Sequence, residues 1–135
     1  ARDVLERIIV KKHDYRASFQ CLRNSATDFS TLNACAALWD GQWHLAVGAR
    51  PKKAKFLEGE DLGLPARFSP EELDAACQRA RDLNYGTDRR ASAAYRAELA
   101  EVLSRRAILE AAAQQDVATE LRLAAEAAKP KGVSA

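Results

Sequence analysis

Asp40-Gly41, set between two apolar runs, constrains this chain more than any other feature. An Asp-Gly pair suits a two-residue turn in which both central residues take φ > 0, and such a turn joins adjacent antiparallel strands. A two-residue loop sets the register: position 39 pairs with 42, 38 with 43, 36 with 45 and 34 with 47. Side chains alternate across a strand, so the register also sorts residues by face. Leu32, Ala34, Ala36, Leu38, Trp43, Leu45 and Val47 share one face, the expected core. Cys35, Ala37, Trp39, Gln42, His44, Ala46 and Gly48 share the other. That second face is rich in small residues, so a helix or another domain can approach it closely. The plainer expectation is that the domain's own helices cover one face and solvent the other.

Outside the hairpin the pattern changes along the chain. Val4 to Val10 reads as a first strand, Tyr15 to Leu22 as a second, and Arg23 to Ser30 as a polar loop. Arg50-Pro51 ends the second hairpin strand, since Pro cannot donate to a ladder. Residues 52–64 are ambiguous: Lys52 to Leu57 fits a short helix, and Gly59, Gly63 and Pro65 break the pattern. Ser69-Pro70-Glu71-Glu72 is a helix start, with Ser69 as N-cap, Pro70 in the first helical position and Glu72 closing a capping box. Leu73, Ala76, Cys77 and Ala80 then form one helical stripe, and Asn84-Tyr85-Gly86 stops the helix. A last helix begins near Ala91 or Ser92 and carries Tyr95, Leu99, Val102, Leu103 and Ala107. It runs to Lys129, with a break at Gln114–Asp116 left open, and Pro130 ends it. Strands first and helices after give an α+β fold, an antiparallel sheet of three to four strands with the helices packed on it. The expected organisation is one domain over 1–130 and a disordered tail over 131–135.

At 135 residues the chain can bury a core without a metal or disulfide staple. Its 47% hydrophobic and 30% charged residues are a globular balance. A net charge of +2 argues against a nucleic-acid binder. No run of about 18 apolar residues is present, so no membrane span is expected, and no signal-peptide pattern opens the chain. Cys21, Cys35 and Cys77 read as reduced, mostly buried thiols of a cytoplasmic protein. The absence of Met predicts a chain cut from, or processed out of, something longer.

No convergent catalytic set is visible. His13 and His44 have no ligand partner at helical spacing, and there is no Cys-x-x-Cys, so no metal site is expected. The chain has no phosphate-cradling glycine loop. Lys52, Lys53 and Lys55 read as a solvated basic patch, and Arg50 as a strand exit. Asp28 and the arginines Arg23, Arg89, Arg90 and Arg96 stand out, because a carboxylate could tie the loop to the last helix by a bidentate bond.

Two blocks carry a resemblance. The first is Arg23-Asn24-Ser25-Ala26-Thr27-Asp28-Phe29, followed by the hairpin and Leu45-Ala46-Val47-Gly48-Ala49-Arg50-Pro51. The second runs from Tyr85-Gly86-Thr87-Asp88-Arg89-Arg90-Ala91-Ser92 to Tyr95-Arg96, Leu99, Val102, Leu103 and Arg106-Ala107. In this order they resemble the carboxy-terminal domain of the FAD-binding (medium) subunit of molybdenum hydroxylases, the carbon monoxide dehydrogenase and xanthine dehydrogenase-like enzymes. The resemblance covers about residues 4–110.

It implies three or four antiparallel strands followed by three helices. It further implies an oxidoreductase in which an upstream domain pair binds FAD and this module packs against it. FAD there takes electrons from iron–sulfur clusters in a partner subunit, and molybdopterin sits in a third. The module is not catalytic alone. The segment Gln20 to Asp28 is implied to pass near the flavin, which makes Gln20, Arg23 and Asp28 the candidate cofactor-binding residues. Gln20 stands where many members carry Lys, so an amide hydrogen bond replaces a charged contact. Asp28 is expected to be structural, accepting from its own loop or from Arg90 or Arg96. The helical tail over 114–129 exceeds the family core. The alternative reading is a stand-alone protein–protein interaction domain without catalytic activity.

Overall fold

The computed structural model describes residues 3–12 and 15–127, with the side chains of 115–127 outside the description. Asp40 and Gly41 both take left-handed backbone, with φ of 51° and 73°. The hairpin they close joins β2 (Ser30–Trp39) to β3 (Gln42–Gly48). Its pairs are Trp39↔Gln42, Leu38↔Trp43, Ala36↔Leu45 and Ala34↔Val47, the register that a two-residue turn dictates. β1 (Arg16–Arg23) adds on one side and β4 (Lys55–Glu58) on the other, each antiparallel to its neighbour. The sheet order is therefore β1-β2-β3-β4, a meander.

The face carrying Leu32, Ala34, Ala36, Leu38, Trp43, Leu45 and Val47 is buried, as the alternation predicts. Three helices follow β4: the single turn α1 (Gly59–Leu62), α2 (Pro70–Arg81) and α3 (Ala93–Ala127). α3 crosses β1 and β2, and α2 packs beside α3. The capping box forms as expected. Glu72 N donates to Ser69 Oγ at 3.3 Å, and Ser69 N donates back to Glu72 Oε2 at 2.7 Å. Leu73, Ala76, Cys77 and Ala80 face the core, and the Tyr85 hydroxyl closes the end of α2 on Ala80 O at 2.6 Å.

Three sequence expectations are corrected, and one point left open is resolved. Val4–Val10 is not a strand: none of its residues joins the ladder of the described residues, and Val4, Leu5, Ile8, Ile9 and Val10 are between 76% and 88% exposed. Alternation and branching make a segment fit for a sheet, but a strand needs a ladder to join, and β1 is paired only with β2 among the described residues. Lys55–Glu58 is an edge strand rather than the end of a helix, held because Leu57 pairs with Leu45 and points into the core. α3 runs through 114–116 without a break. Its buried stripe is Arg96, Ala100, Leu103, Ser104, Ala107, Ile108 and Ala111, while Tyr95 and Val102 face outward and Leu99 is only partly covered. Alanines at the contact let the helix lie close to the sheet, with Leu103 and Ile108 packed between them. The expected end of this helix at Lys129–Pro130, and the tail over 131–135, lie outside the described residues.

Candidate functional site

The loop joining β1 to β2 and the segment joining α2 to α3 meet at one end of the sheet. Arg96, in the first turn of α3, organises the junction. Its guanidinium is 1% exposed and is spread over four acceptors. Nε donates to Thr31 O at 2.9 Å, Nη1 to Gly86 O at 2.8 Å and Ala91 O at 2.7 Å, and Nη2 to Asp88 Oδ1 at 2.6 Å. Asp88 also accepts from the backbone N–H of Arg90 at 2.8 Å and of Ala91 at 3.2 Å. The hydrogen bond from Arg96, followed by that of the Arg90 amide, holds the Asp88 carboxyl at about 2. Ser92 caps α3 by accepting from Tyr95 N at 3.2 Å, and Thr87 Oγ1 accepts from Ala93 N at 2.9 Å.

Arg50 is a second buried cation here, where the sequence suggests a simple strand exit. Nη1 reaches Lys53 O at 2.9 Å, Nη2 reaches Asn84 O, and the guanidinium lies 5.6 Å from the Tyr85 ring centroid. Gly86 fits against it because a Cβ there would stand 3.0 Å from Pro51 Cβ and 3.4 Å from Arg50 O. Burial raises the Tyr85 hydroxyl far above its ordinary pKa, so the ring stays neutral over this cation.

The three predicted cofactor residues are held by different elements. Gln20 lies on β1, where its amide donates to Glu110 Oε2 of α3 and to Ser18 Oγ at 3.2 Å. Ser18 Oγ donates to the same carboxylate at 2.7 Å. Arg23 is exposed at the end of β1 and holds Ala26 O at 3.4 Å. Asp28 Oδ1 accepts from Phe29 N at 2.7 Å and from Arg90 Nη2 at 3.3 Å. Both expected kinds of partner for Asp28 are therefore present. The bond to Arg90 is single rather than bidentate, and Arg96 serves Asp88 instead. Arg90 also lies 5.3 Å from the centroid of the exposed Phe29 ring.

A cleft of about 390 Å³ opens between these loops, lined by Phe29, Ser30, Asn33, Ala49, Pro51, Asp88 and Arg90. Its carboxylate is already compensated by Arg96 and by the Arg90 and Ala91 amides. Among the described residues no group of three or more His, Cys, Asp or Glu could hold a metal. No helix among them is long and apolar enough to cross a membrane. The thiols depart from the expectation of burial: Cys21 is exposed, Cys35 half-buried and Cys77 buried, all unpaired. Burial pushes the Cys77 thiol up to about 11 and raises Cys35 as well.

A second open surface is the sheet face turned away from the helices. A groove of about 470 Å³ there is bounded by Val10, Lys11, Tyr15, Trp39, His44 and Phe56, with Ala37 and Glu58. His44 stacks on Phe56 at 5.7 Å and shares a 3.1 Å hydrogen bond with Glu58.

A family model described as the CO dehydrogenase flavoprotein C-terminal domain matches residues 17–111. The chain belongs to that family. The match starts in β1 and ends in α3, so Val4–Val10 and the continuation of α3 beyond 111 lie outside it. No curated protein sequence matches the chain.

Among solved structures, the family fold is found in carbon monoxide dehydrogenase from Hydrogenophaga pseudoflava lacking the Mo-pyranopterin moiety of its cofactor. The TM-score is 0.65 and the identity 20%, over 76% of this chain and 38% of that one. Quinoline 2-oxidoreductase from Pseudomonas putida 86 gives a TM-score of 0.61 and 21% identity, over 76% of this chain and 38% of that one. A cyanide-inactivated Cu,Mo-CO dehydrogenase gives 0.61 and 23%, over 77% and 39%. The chain thus spans about two-fifths of the length of these structures.

What sequence reasoning misses in this flavoprotein domain is the pair Asp88–Arg96. A signal is present. Thr87, Asp88 and Ser92 are the residue types that satisfy free amides at a helix start, and Arg96 follows Ser92 by about one turn.

Proposed function

We propose that this chain is the carboxy-terminal module of the FAD subunit of a molybdenum-hydroxylase-type oxidoreductase. In such an enzyme electrons pass from iron–sulfur clusters through FAD to an acceptor, and molybdopterin and the clusters reside in partner subunits. The observation that carries the reading is the family match over 17–111, from β1 into α3.

The module packs on an FAD-binding part of the same polypeptide, in the cytoplasm. It presents the end of β1 and the following loop to the flavin. Of the three residues there, Arg23 is the one whose guanidinium is at the surface with a single long contact, so it is suited to meet a phosphate or another anionic edge. The Gln20 amide already serves Glu110, and Asp28 serves Arg90, so these two shape the loop.

Two measurements test the reading. FAD titrated into the 135-residue chain, followed by flavin fluorescence, is expected to bind more weakly than about 10 μM, the range of an unassisted surface contact. The full-length polypeptide is expected to purify with FAD and with an iron–sulfur protein and a large molybdopterin protein. Low-micromolar or tighter binding to the chain alone, or a full-length protein without flavin, refutes it.

A further inference from the structure

We infer that the open face of the sheet is the surface on which the preceding part of the same polypeptide packs. This rests on reading the chain as the carboxy-terminal module and specifies which of its faces meets the flavin-binding part.

The register lays the face out in rows. Phe19, Cys35, Ala46 and Phe56 stand side by side across the four strands, and Ala17, Ala37, His44 and Glu58 form the next row. Large aromatic rings therefore rise on both edge strands, with small side chains between them. Phe19 is 58% exposed, Phe56 53% and Trp39, at the hairpin end, 47%. Three strand spacings separate the two phenylalanines, about 14 Å, enough to admit one packed element of about 10 Å diameter between the rims. In the second row His44 Nδ1 and Glu58 Oε2 pair with each other at 3.1 Å. The trough thus offers an apolar partner little to repel it, and apolar surface of this extent on a soluble chain marks a contact.

The path of the chain names the occupant. Val10 and Lys11 line the same groove as Tyr15, Trp39, His44 and Phe56, so this part of the segment ahead of β1 lies along the face. Whatever precedes these residues is tethered within a few residues of the trough, at an effective concentration on the order of millimolar. Of the exposed aliphatic side chains in Val4–Val10, Val10 borders this groove. The similar structures carry some three-fifths of their length outside the matched domain, and the domain is by description carboxy-terminal, so the remainder precedes it. A second copy of this chain explains the apolar rims but not why the chain's own approach runs along them.

The thiols provide the test. Cys35 lies in the middle of the trough, and Cys77 is buried under α3 as an internal control for folding. Maleimide labelling of Cys35 is expected to be at least tenfold slower in the full-length polypeptide than in the 135-residue chain, with Cys77 unreactive in both. Phe19→Asp combined with Phe56→Asp in the full-length protein should restore the faster rate with Cys77 still protected. Trp39→Asp, at the hairpin end, should do so in part. Equal Cys35 rates in the two proteins overturn the inference. So do variants that leave Cys35 protected, or a 135-residue chain that protects Cys35 while sedimenting as a dimer. FAD content of the same full-length sample keeps the two readings apart. Protected Cys35 without flavin leaves the docking face standing and removes the flavin role, whereas bound flavin with unprotected Cys35 does the reverse.

Discussion

Arg96→Met is expected to cost the domain much of its stability while leaving the shape of the core nearly unchanged. Met is close in length and fills the same channel, so a cavity contributes little. What is lost is the donor set. Thr31 O, Gly86 O, Ala91 O and Asp88 Oδ1 each lose a donor at 2.6–2.9 Å, while Asp88 Oδ1 keeps the Arg90 and Ala91 amides and Ala91 O keeps the Asp88 amide. Thr31 is buried, and an acceptor left without a donor there costs about 1–3 kcal/mol. Gly86 and Ala91 are half-buried and recover part of their loss from water. The sum is about 3–5 kcal/mol, which is the range for removing one member of a buried ionic network. A domain of this size has about 5–15 kcal/mol in total. At a urea m-value of about 1–3 kcal/mol/M, the unfolding midpoint should fall by roughly 2 M at unchanged m, read by far-UV circular dichroism. Arg96→Lys keeps the charge but not the planar fork that reaches several acceptors at once, so it should fall between the two. A midpoint within about 0.5 M of the parent for Arg96→Met would refute the view that this side chain holds the junction together.

The other expectations are smaller or of a different kind. Gly41→Val should lower stability by about 1–3 kcal/mol in the same melt; a Cβ there meets nothing within 4 Å, so any loss reports backbone strain at φ 73° alone, and an unchanged melt would show that the turn relaxes freely. Asp28→Asn should cost no more than about 1 kcal/mol, because its pair with Arg90 is partly exposed, and electron transfer per bound flavin in the full subunit should stay within a few-fold; a hundredfold collapse at unchanged melting temperature would mean that Asp28 acts on the flavin itself. Asp88 has a folded pKa of about 2 against an ordinary 3.8, so its contribution is complete above pH 4 and is lost as the pH falls from there toward 2. Acid titration of Asp88→Asn should accordingly be flatter than the parent's between pH 4 and 2, and parallel curves would count against the assignment.

Features closed by near neighbours in the chain are legible in the residues themselves. Asp40-Gly41 sets the hairpin register, and Ser69-Pro70-Glu71-Glu72 sets the start of α2, because each turn or cap is completed within a few positions. The misreadings have a common cause in distance along the chain. Lys52 to Leu57 fits a helix by its own pattern, and only the meeting of Leu57 with Leu45 makes its second half a strand. Val4–Val10 has the pattern of a strand and finds no ladder. The stripe of α3 keeps Leu103 and Ala107 but replaces Tyr95 and Val102 by Arg96, Ala100 and Ser104, a choice that apolar periodicity alone does not make. The same holds at the junction. The residue types suggest a link from Asp28 to Arg90 or Arg96, of which only Arg90 forms it, while Arg96 finds Thr31 O across 65 positions, and nothing local announces it.

The meander order β1-β2-β3-β4 has a consequence for how the domain comes to fold. Every strand pair is closed by a short connection, so the sheet can assemble hairpin by hairpin as the chain is made, at little entropic cost. The helix that covers it is last in sequence, and its anchoring contacts reach back far: Ser18 to Glu110 spans 92 positions and Ala17 to Gln114 spans 97. Between those events the face bearing Leu32, Leu45 and Val47 stands uncovered. A ribosome-bound chain stopped before residue 93 should therefore recruit a hydrophobic-binding chaperone such as a holdase, and one carrying α3 should release it.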